Sequence, residues 1–244
     1  MDAQLLWDNG WLKKAEGIHI LKMPMPFPLK ENNCFLAETE QGWAVIDTGV
    51  NCEENREIFK AALAAIGITW RHISSIYLTH YHHDHIGLAG WLQDKCGATV
   101  YLPLPDIIAF QTFVAGDSYI DKVYDACISA DWPLAMVREL EHDLNNIKTL
   151  LEPLPDLNPL PIEQTIYLNG HKYTPIAIPG HTDGHYAFHC AENQVLFSGD
   201  NIVGHTLLHL TDWPHNKIDN PCDMHLSALN QLQQIRVKTV LPGH

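Results

Sequence analysis

The stretch Ile73-Ser74-Ser75-Ile76-Tyr77-Leu78-Thr79-His80-Tyr81-His82-His83-Asp84-His85 decides how this chain is read. Its first seven residues have the β-rich character of a strand. At the end of that strand stand His80, His82, Asp84 and His85, four metal-ligand side chains within six residues. Side chains two apart on extended backbone point the same way, so His80 and His82 can share one ion. From Ile86 to Lys95 the pattern turns helical, which puts Asp84 and His85 at a helix start, facing a second position nearby. A loop of this shape suits two metals.

One such cluster cannot close two coordination spheres, so further His or Asp ligands are expected at the ends of other strands. His181 follows the apolar run Thr174 to Ile178, Asp200 ends Val195-Leu196-Phe197-Ser198-Gly199-Asp200, and His244 ends Val240-Leu241-Pro242-Gly243-His244. Imidazole and carboxylate donors without thiolate suit zinc first, with iron and manganese as alternatives, because borderline nitrogen and hard oxygen accept all three.

The other histidines read differently. His19, His72, His142 and His171 are expected to be ordinary satisfied polar groups, and His83 an exposed one in a variable slot of the cluster. His185 and His189 alternate with Ala187 and are read as the polar face of a strand. His205 and His209, shortly after Asp200, are candidates for the wall of the site and for a substrate contact. Asp47, in Asp47-Thr48-Gly49 after a strand, is either a turn former or a support for a ligand.

Outward from the cluster, Gly17 to Lys22, Asn33 to Glu38 and Trp43 to Asp47 read as strands, and Glu53 to Ile66 as an amphipathic helix ending at Gly67. Ala98 to Leu102 is a further strand. Apolar residues then recur at helical spacing from Leu104 to about Leu151, and the acidic segment closes in Pro153-Leu154-Pro155-Asp156-Leu157-Asn158-Pro159-Leu160-Pro161, which should resist helix and strand alike. Residues from about 104 to 161 are therefore read as a helical insertion that caps the metal site, with a homodimer surface or a structural buttress as the alternatives. Strands at 164–168, 173–178, 185–190, 194–198 and 238–241, with a helix over 222–235, complete a single domain spanning 1–244.

A hydrophobic fraction of 46% over 244 residues supports one sizeable core. The formal charge of −14, with only 15 scattered basic residues, disfavours a nucleic-acid partner, whose phosphates demand Lys and Arg. Two cations would still make a pocket locally positive, so a small-molecule substrate, even an anionic one, is compatible. The chain start lacks an apolar signal-like core and no window of about 18 apolar residues exists, so no membrane partner is expected and the location is read as cytoplasmic. Six dispersed cysteines without a Cys-x-x-Cys pair fit reduced thiols.

The motif set Val45-Ile46-Asp47-Thr48-Gly49, Thr79 to His85, Pro179-Gly180-His181-Thr182, Gly199-Asp200 and Pro242-Gly243-His244 resembles the metallo-β-lactamase superfamily from about Gly17 onward. The resemblance implies an α/β fold: an αβ/βα four-layer sandwich of two mixed β-sheets flanked by helices, with the metals at one edge. It also implies that His80, His82 and His181 hold one divalent ion, that Asp84, His85 and His244 hold a second, that Asp200 bridges both, and that Asp47 orients a ligand. Relatives with this insertion and the Asp212-Trp213-Pro214 stretch commonly run on past Pro-Gly-His. The chain is therefore read either as lacking a further C-terminal segment after His244 or as a naturally short form.

The chemistry implied is hydrolysis by a hydroxide between two metals, with Asp84 and Asp200 as the catalytic carboxylates and Asp84 orienting the nucleophile. The bridging Asp200 argues against antibiotic hydrolysis. The short separation of His181, Asp200 and His244 excludes the large domain of the RNA-cleaving branch, and His82 disfavours the flavodiiron branch. The glyoxalase II-like hydrolases remain as the branch most similar, so a small ester-like substrate is expected, with a thioester favoured. The alternatives are a lactonase, a phosphodiesterase or ribonuclease of the same fold, or a non-catalytic metal-binding module.

Overall fold

The protein is described by a computed structural model covering residues 10–26, 29–203, 210–211, 213–214, 217 and 220–244, without the side chains of 117–118. His205, His209 and Asp212 lie outside the described residues.

The first half builds a seven-stranded sheet whose spatial order follows the chain: β1 (Leu12–Ala15), β2 (Ile18–Pro24), β3 (Glu31–Thr39), β4 (Gly42–Ile46), β5 (Ile73–Tyr77), β6 (Thr99–Leu102) and β7 (Leu157–Pro159). The first four pair antiparallel as a meander, and β4 through β7 run parallel. The second half builds a five-stranded sheet, ordered β12 (Thr239–Pro242), β11 (Val195–Gly199), β10 (Tyr186–Cys190), β9 (His171–Ala177) and β8 (Ile166–Leu168).

Both faces of β3 and β4 are buried, and the two-residue period of the strand sends alternate side chains to different cores. Phe35, Ala37, Ala44 and Ile46 meet Tyr173, Phe188 and Phe197 of the second sheet. Cys34, Leu36 and Val45 point the other way, beneath helix α1 (Glu53–Ile66) and the apolar helices beyond it. On the far side, Ile178, Ala187 and Leu196 pack under Ala228 and Leu232 of α7 (Pro221–Leu232). Helices, sheet, sheet and helix thus form the four layers expected of an αβ/βα sandwich.

Helix α1 begins with Glu53 and Glu54, whose charges oppose the N-terminal end of the helix dipole, and stops at Gly67. Gly67 takes φ 85°, a conformation cheap only without a Cβ, and its N–H caps the carbonyls of Leu63 and Ala64.

Three segments differ from the sequence reading, the first being β1, which was not anticipated and pairs antiparallel with β2 as one edge of the sheet. The helix expected over Ile86 to Lys95 is divided into a single turn α2 (His83–Ile86) and α3 (Ala89–Cys96). Continuation requires Leu88 N–H to bond the carbonyl of Asp84. Leu88 instead donates to Gly49 O at 3.0 Å, and the Asp84 carbonyl accepts from the Asn32 amide. The proline-rich segment also does more than resist regular structure, because Leu157–Pro159 pairs with β6 as the sheet's parallel edge strand, a place where proline's missing N–H costs little. Between these two strands, α4 (Leu104–Val114), α5 (Asp117–Ser129) and α6 (Leu134–Thr149) make up the segment read from the sequence as a helical insertion.

Candidate metal centre

The site lies where strand ends of both sheets meet. His80, His82, Asp84 and His85 come from the loop and turn after β5, His181 from the loop after β9, Asp200 from the end of β11 and His244 from the end of β12. These side chains form two groups, His80 with His82 and His181, and Asp84 with His85, Asp200 and His244. Within each group one ligand atom per residue lies within 4.8 Å of the others. Asp200 stands between the groups: its Oδ2 is 3.5 Å from His181 Nε2 and 3.4 Å from His244 Nε2, while its Oδ1 is 3.2 Å from His85 Nε2.

Hydrogen bonds fix the ring tautomers, and with them the nitrogens left for a cation. Asp47, an acceptor only, sits after β4 at φ 55° and takes bonds from Thr79 N–H at 2.8 Å and Thr79 Oγ1 at 2.9 Å. The Thr79 hydroxyl has spent its proton there, so at 3.0 Å it can only accept from His80 Nδ1–H. The Asp47 carboxylate likewise receives His85 Nδ1–H at 2.9 Å, and His244 Nδ1–H donates to Glu31 O at 2.9 Å. In all three rings Nε2 is therefore the nitrogen turned toward the site, buried without a well-directed hydrogen bond of its own. Imidazole nitrogens facing carboxylate oxygens, each oriented from behind by a carboxylate, hydroxyl or carbonyl, are what a divalent cation requires once it has displaced any proton they carry. The donor set fits the implied metals.

Electrostatics sort the rings further. Burial, together with neighbouring imidazoles, drives His80 and His82 well below the usual histidine range, so both are neutral. Burial also pulls on His85 and His244, but Asp200 and Asp84 outweigh it; His85 is raised well above its ordinary value and His244 reaches about 10. Burial raises the two carboxyls, yet the adjacent His85 and His244 hold Asp84 and Asp200 well below the usual carboxylate range.

The terminal position of His244 in this sequence does not leave it loose. Asn33 donates its N–H to Gly243 O at 2.8 Å and its side-chain amide to Pro242 O at 3.0 Å, and Gly243 N–H bonds Gly199 O at 2.9 Å. The His244 side chain is 5% exposed.

Other residues were placed differently by the sequence. His83 is half-buried and lines the cavity above the site, where an exposed side chain was expected, because α2 turns it inward beside Asp84. His185 is not part of a merely polar face: it is fully buried, stacked on His80 with ring centroids 4.8 Å apart, and its Nε2 accepts the Asp200 N–H at 3.1 Å. That bond occupies the lone pair, so His185 positions Asp200 without being free to ligate. His189 does lie toward the surface, bonded to Arg236 O.

Asp106, in the first turn of α4, went unrecognised. Fully buried, it accepts from Tyr81 N–H at 3.0 Å, Thr182 Oγ1 at 2.8 Å and Gly184 N–H at 2.6 Å, and so clamps the His80–His82 loop to the His181 loop. Burial pushes it up to about 7 against these three bonds, which favour its charged form. A single acidic residue opening a helix carries no motif that would reveal this.

Five of the seven side chains, His82, Asp84, His181, Asp200 and His244, form the floor of a cavity of about 990 Å³. Its walls include Met25 and Leu29 from the first sheet's loops and Phe113, Tyr119, Leu144 and Ile147 from the inserted helices.

The family profile of the metallo-beta-lactamase superfamily matches residues 28–244. The chain belongs to the metallo-β-lactamase superfamily. It is similar to a metallo-β-lactamase family protein, TTHA1429, from Thermus thermophilus, with 25% identity, a TM-score of 0.85, and coverage of 94% of this chain and 74% of that one. TTHA1623, solved in a di-iron-bound form, is 25% identical with a TM-score of 0.59 and coverage of 91% of both chains. An atrochrysone carboxyl ACP thioesterase of Aspergillus fumigatus is 22% identical over 245 residues, covering 97% of this chain and 44% of that protein. The chain spans about half the length of the curated relatives it matches. Among the described residues no helix is long and apolar enough to cross a membrane.

Proposed function

We propose that this superfamily member is a binuclear metal-dependent hydrolase that cleaves thioesters of small molecules. The observation that carries this reading is the position of Asp200, whose carboxylate touches nitrogen donors of both ligand groups at once. His80, His82 and His181 would hold one cation, Asp84, His85 and His244 the other, and Asp200 would join both. What the cations would supply there is Lewis acidity: polarisation of a carbonyl oxygen and the acidification of water near neutral pH. Zinc leads on donor chemistry, with iron supported by the di-iron form of TTHA1623.

The chain's own residues do the rest. Asp84 is ionised and lines the cavity, so it can accept a hydrogen bond from an attacking water and hold its lone pair toward a substrate carbonyl. Beyond the seven candidate ligands, the titratable side chains on the cavity wall among the described residues are Tyr81, His83, Tyr119 and Asp143. Burial lowers His83, leaving it neutral, and raises Tyr81 and Tyr119, which keep their protons. Asp143 is exposed on α6. A leaving group that departs readily as an anion suits such a wall, and a thiolate, whose conjugate acid has a pKa of about 8.5, departs more readily than an alkoxide. The name of the A. fumigatus relative, a thioesterase, points the same way.

Elemental analysis of the purified protein should find about two zinc, iron or manganese ions per chain. A panel of thioesters, lactones, phosphodiesters and short RNAs against the metal-loaded protein should show thioester turnover that His82→Ala and Asp200→Ala both abolish along with metal content. Fewer than half an ion per chain, or unchanged rates in both variants, would defeat the reading.

A further inference from the structure

We propose that the acyl group of the substrate is bulky and apolar, and that the inserted helices α4 to α6 build the pocket that receives it. This rests on the thioesterase reading above and narrows it. The cavity over the candidate ligands, about 990 Å³, stands at the upper end of the roughly 300–1,000 Å³ usual for small-molecule sites and far exceeds what an acetyl group fills. Its walls on the insertion side are mostly apolar, with Phe113, Tyr119, Leu144, Ile147 and Leu151 beside the polar Asp143 and Asn146, and Trp213 is also in the lining.

Charge decides which half of a thioester belongs there. None of the described residues lining the cavity is Lys or Arg, and Asp143 adds a negative charge to the wall. A phosphate-bearing carrier arm would meet no cationic partner on these walls, and burying it unpaired is costly. An acyl chain or ring asks for no such partner and gains from the loss of water contact. The acyl group therefore goes under the helices and the thiol carrier stays toward solvent. In the reaction, water oxygen bonds to the acyl carbon, the carbon–sulfur bond breaks, sulfur leaves with the electron pair, and the products are the carboxylate, the thiol and one released proton.

Each methylene moved from water into such a lining is worth roughly fourfold in kcat/KM. With N-acetylcysteamine thioesters, a small neutral carrier, the octanoyl or naphthoyl substrate should exceed the acetyl one by at least about 100-fold. Ile147→Lys, which places a cation in the helical wall, should cut the octanoyl-to-acetyl ratio at least tenfold. Calorimetry on the EDTA-treated protein with ketone analogues, a methylene replacing the sulfur, gives a readout that needs neither turnover nor the variant to fold: the octanoyl analogue should bind at least tenfold tighter than the acetyl analogue, with a negative heat-capacity change. Equal kcat/KM across acyl groups, an unchanged ratio in a folded Ile147→Lys variant, or equal binding of the two ketones overturns the acyl-pocket assignment while leaving the hydrolase reading intact. If no thioester is turned over by metal-loaded protein, the hydrolase reading falls, and the ketone affinities still decide for or against an apolar acyl pocket.

Discussion

Asp200 can lie between two groups of nitrogen donors only because Gly243 lacks a side chain. A Cβ at Gly243 would stand 2.3 Å from Asp200 Oδ1 and 2.8 Å from His85 Cε1, so Gly243→Ala must displace one of them. We expect that variant to fold yet hold about one ion per chain fewer than the parent by elemental analysis. His244 supplies a pH prediction. Its value of about 10 lies above the ordinary 6.5, so in metal-free protein its protonated form stabilises the fold fully below pH about 6.5, and that contribution is lost as pH rises toward 10. A cation needs the unprotonated nitrogen, so metal uptake releases a proton and tightens with pH, by up to about tenfold per unit for each proton displaced. Melting temperatures measured from pH 6.5 to 10 should fall for EDTA-treated protein, and the stabilisation gained on adding zinc should grow over the same window. At this scale the seven candidate ligands were legible, because few other roles gather His and Asp at strand ends. His185 and Asp106 were not legible, since each acts on a residue distant in sequence and belongs to no local pattern.

Strand and helix positions followed closely from periodicity, with α1 matching from Glu53 to Ile66 and most strand ends falling within two residues. The splitting of the helix after the metal loop was invisible, because the bonds that divide it come from Asn32 and Gly49 on other elements. The same dependence makes Asp106 a positioning residue for two ligand loops. Asp106→Asn keeps the shape but turns an NH₂ toward either an N–H donor of Gly184 or the donors Tyr81 N–H and Thr182 O–H, so one buried bond is lost whichever way the amide faces. A loss of about 1–3 kcal/mol in unfolding free energy is expected, together with weaker metal retention on dialysis against a chelator. Retention equal to the parent would show that the clamp does not govern the ligands.

Across the whole molecule the candidate ligands divide between the two sheets, four from the first and three from the second. Cations bound there would tie the sheets together and favour the folded state alone, so zinc at 100 times its dissociation constant should add about 2.7 kcal/mol to stability. Calorimetry with and without chelator measures this. Phe197→Ala, which opens the layer between the sheets, should cost about 3–5 kcal/mol by the cavity it leaves and weaken metal binding as well, although Phe197 belongs to the core and not to the ligand groups. The sequence alone determined the layered α/β class, the ligand types and the number of metal positions they suggest, because backbone periodicity and donor chemistry are local properties. Only the tertiary structure decided which nitrogen each ring offers, which residues hold the loops in place and what walls the cavity. Those depend on contacts between segments far apart in the chain, and such distances exist only once both sheets have packed.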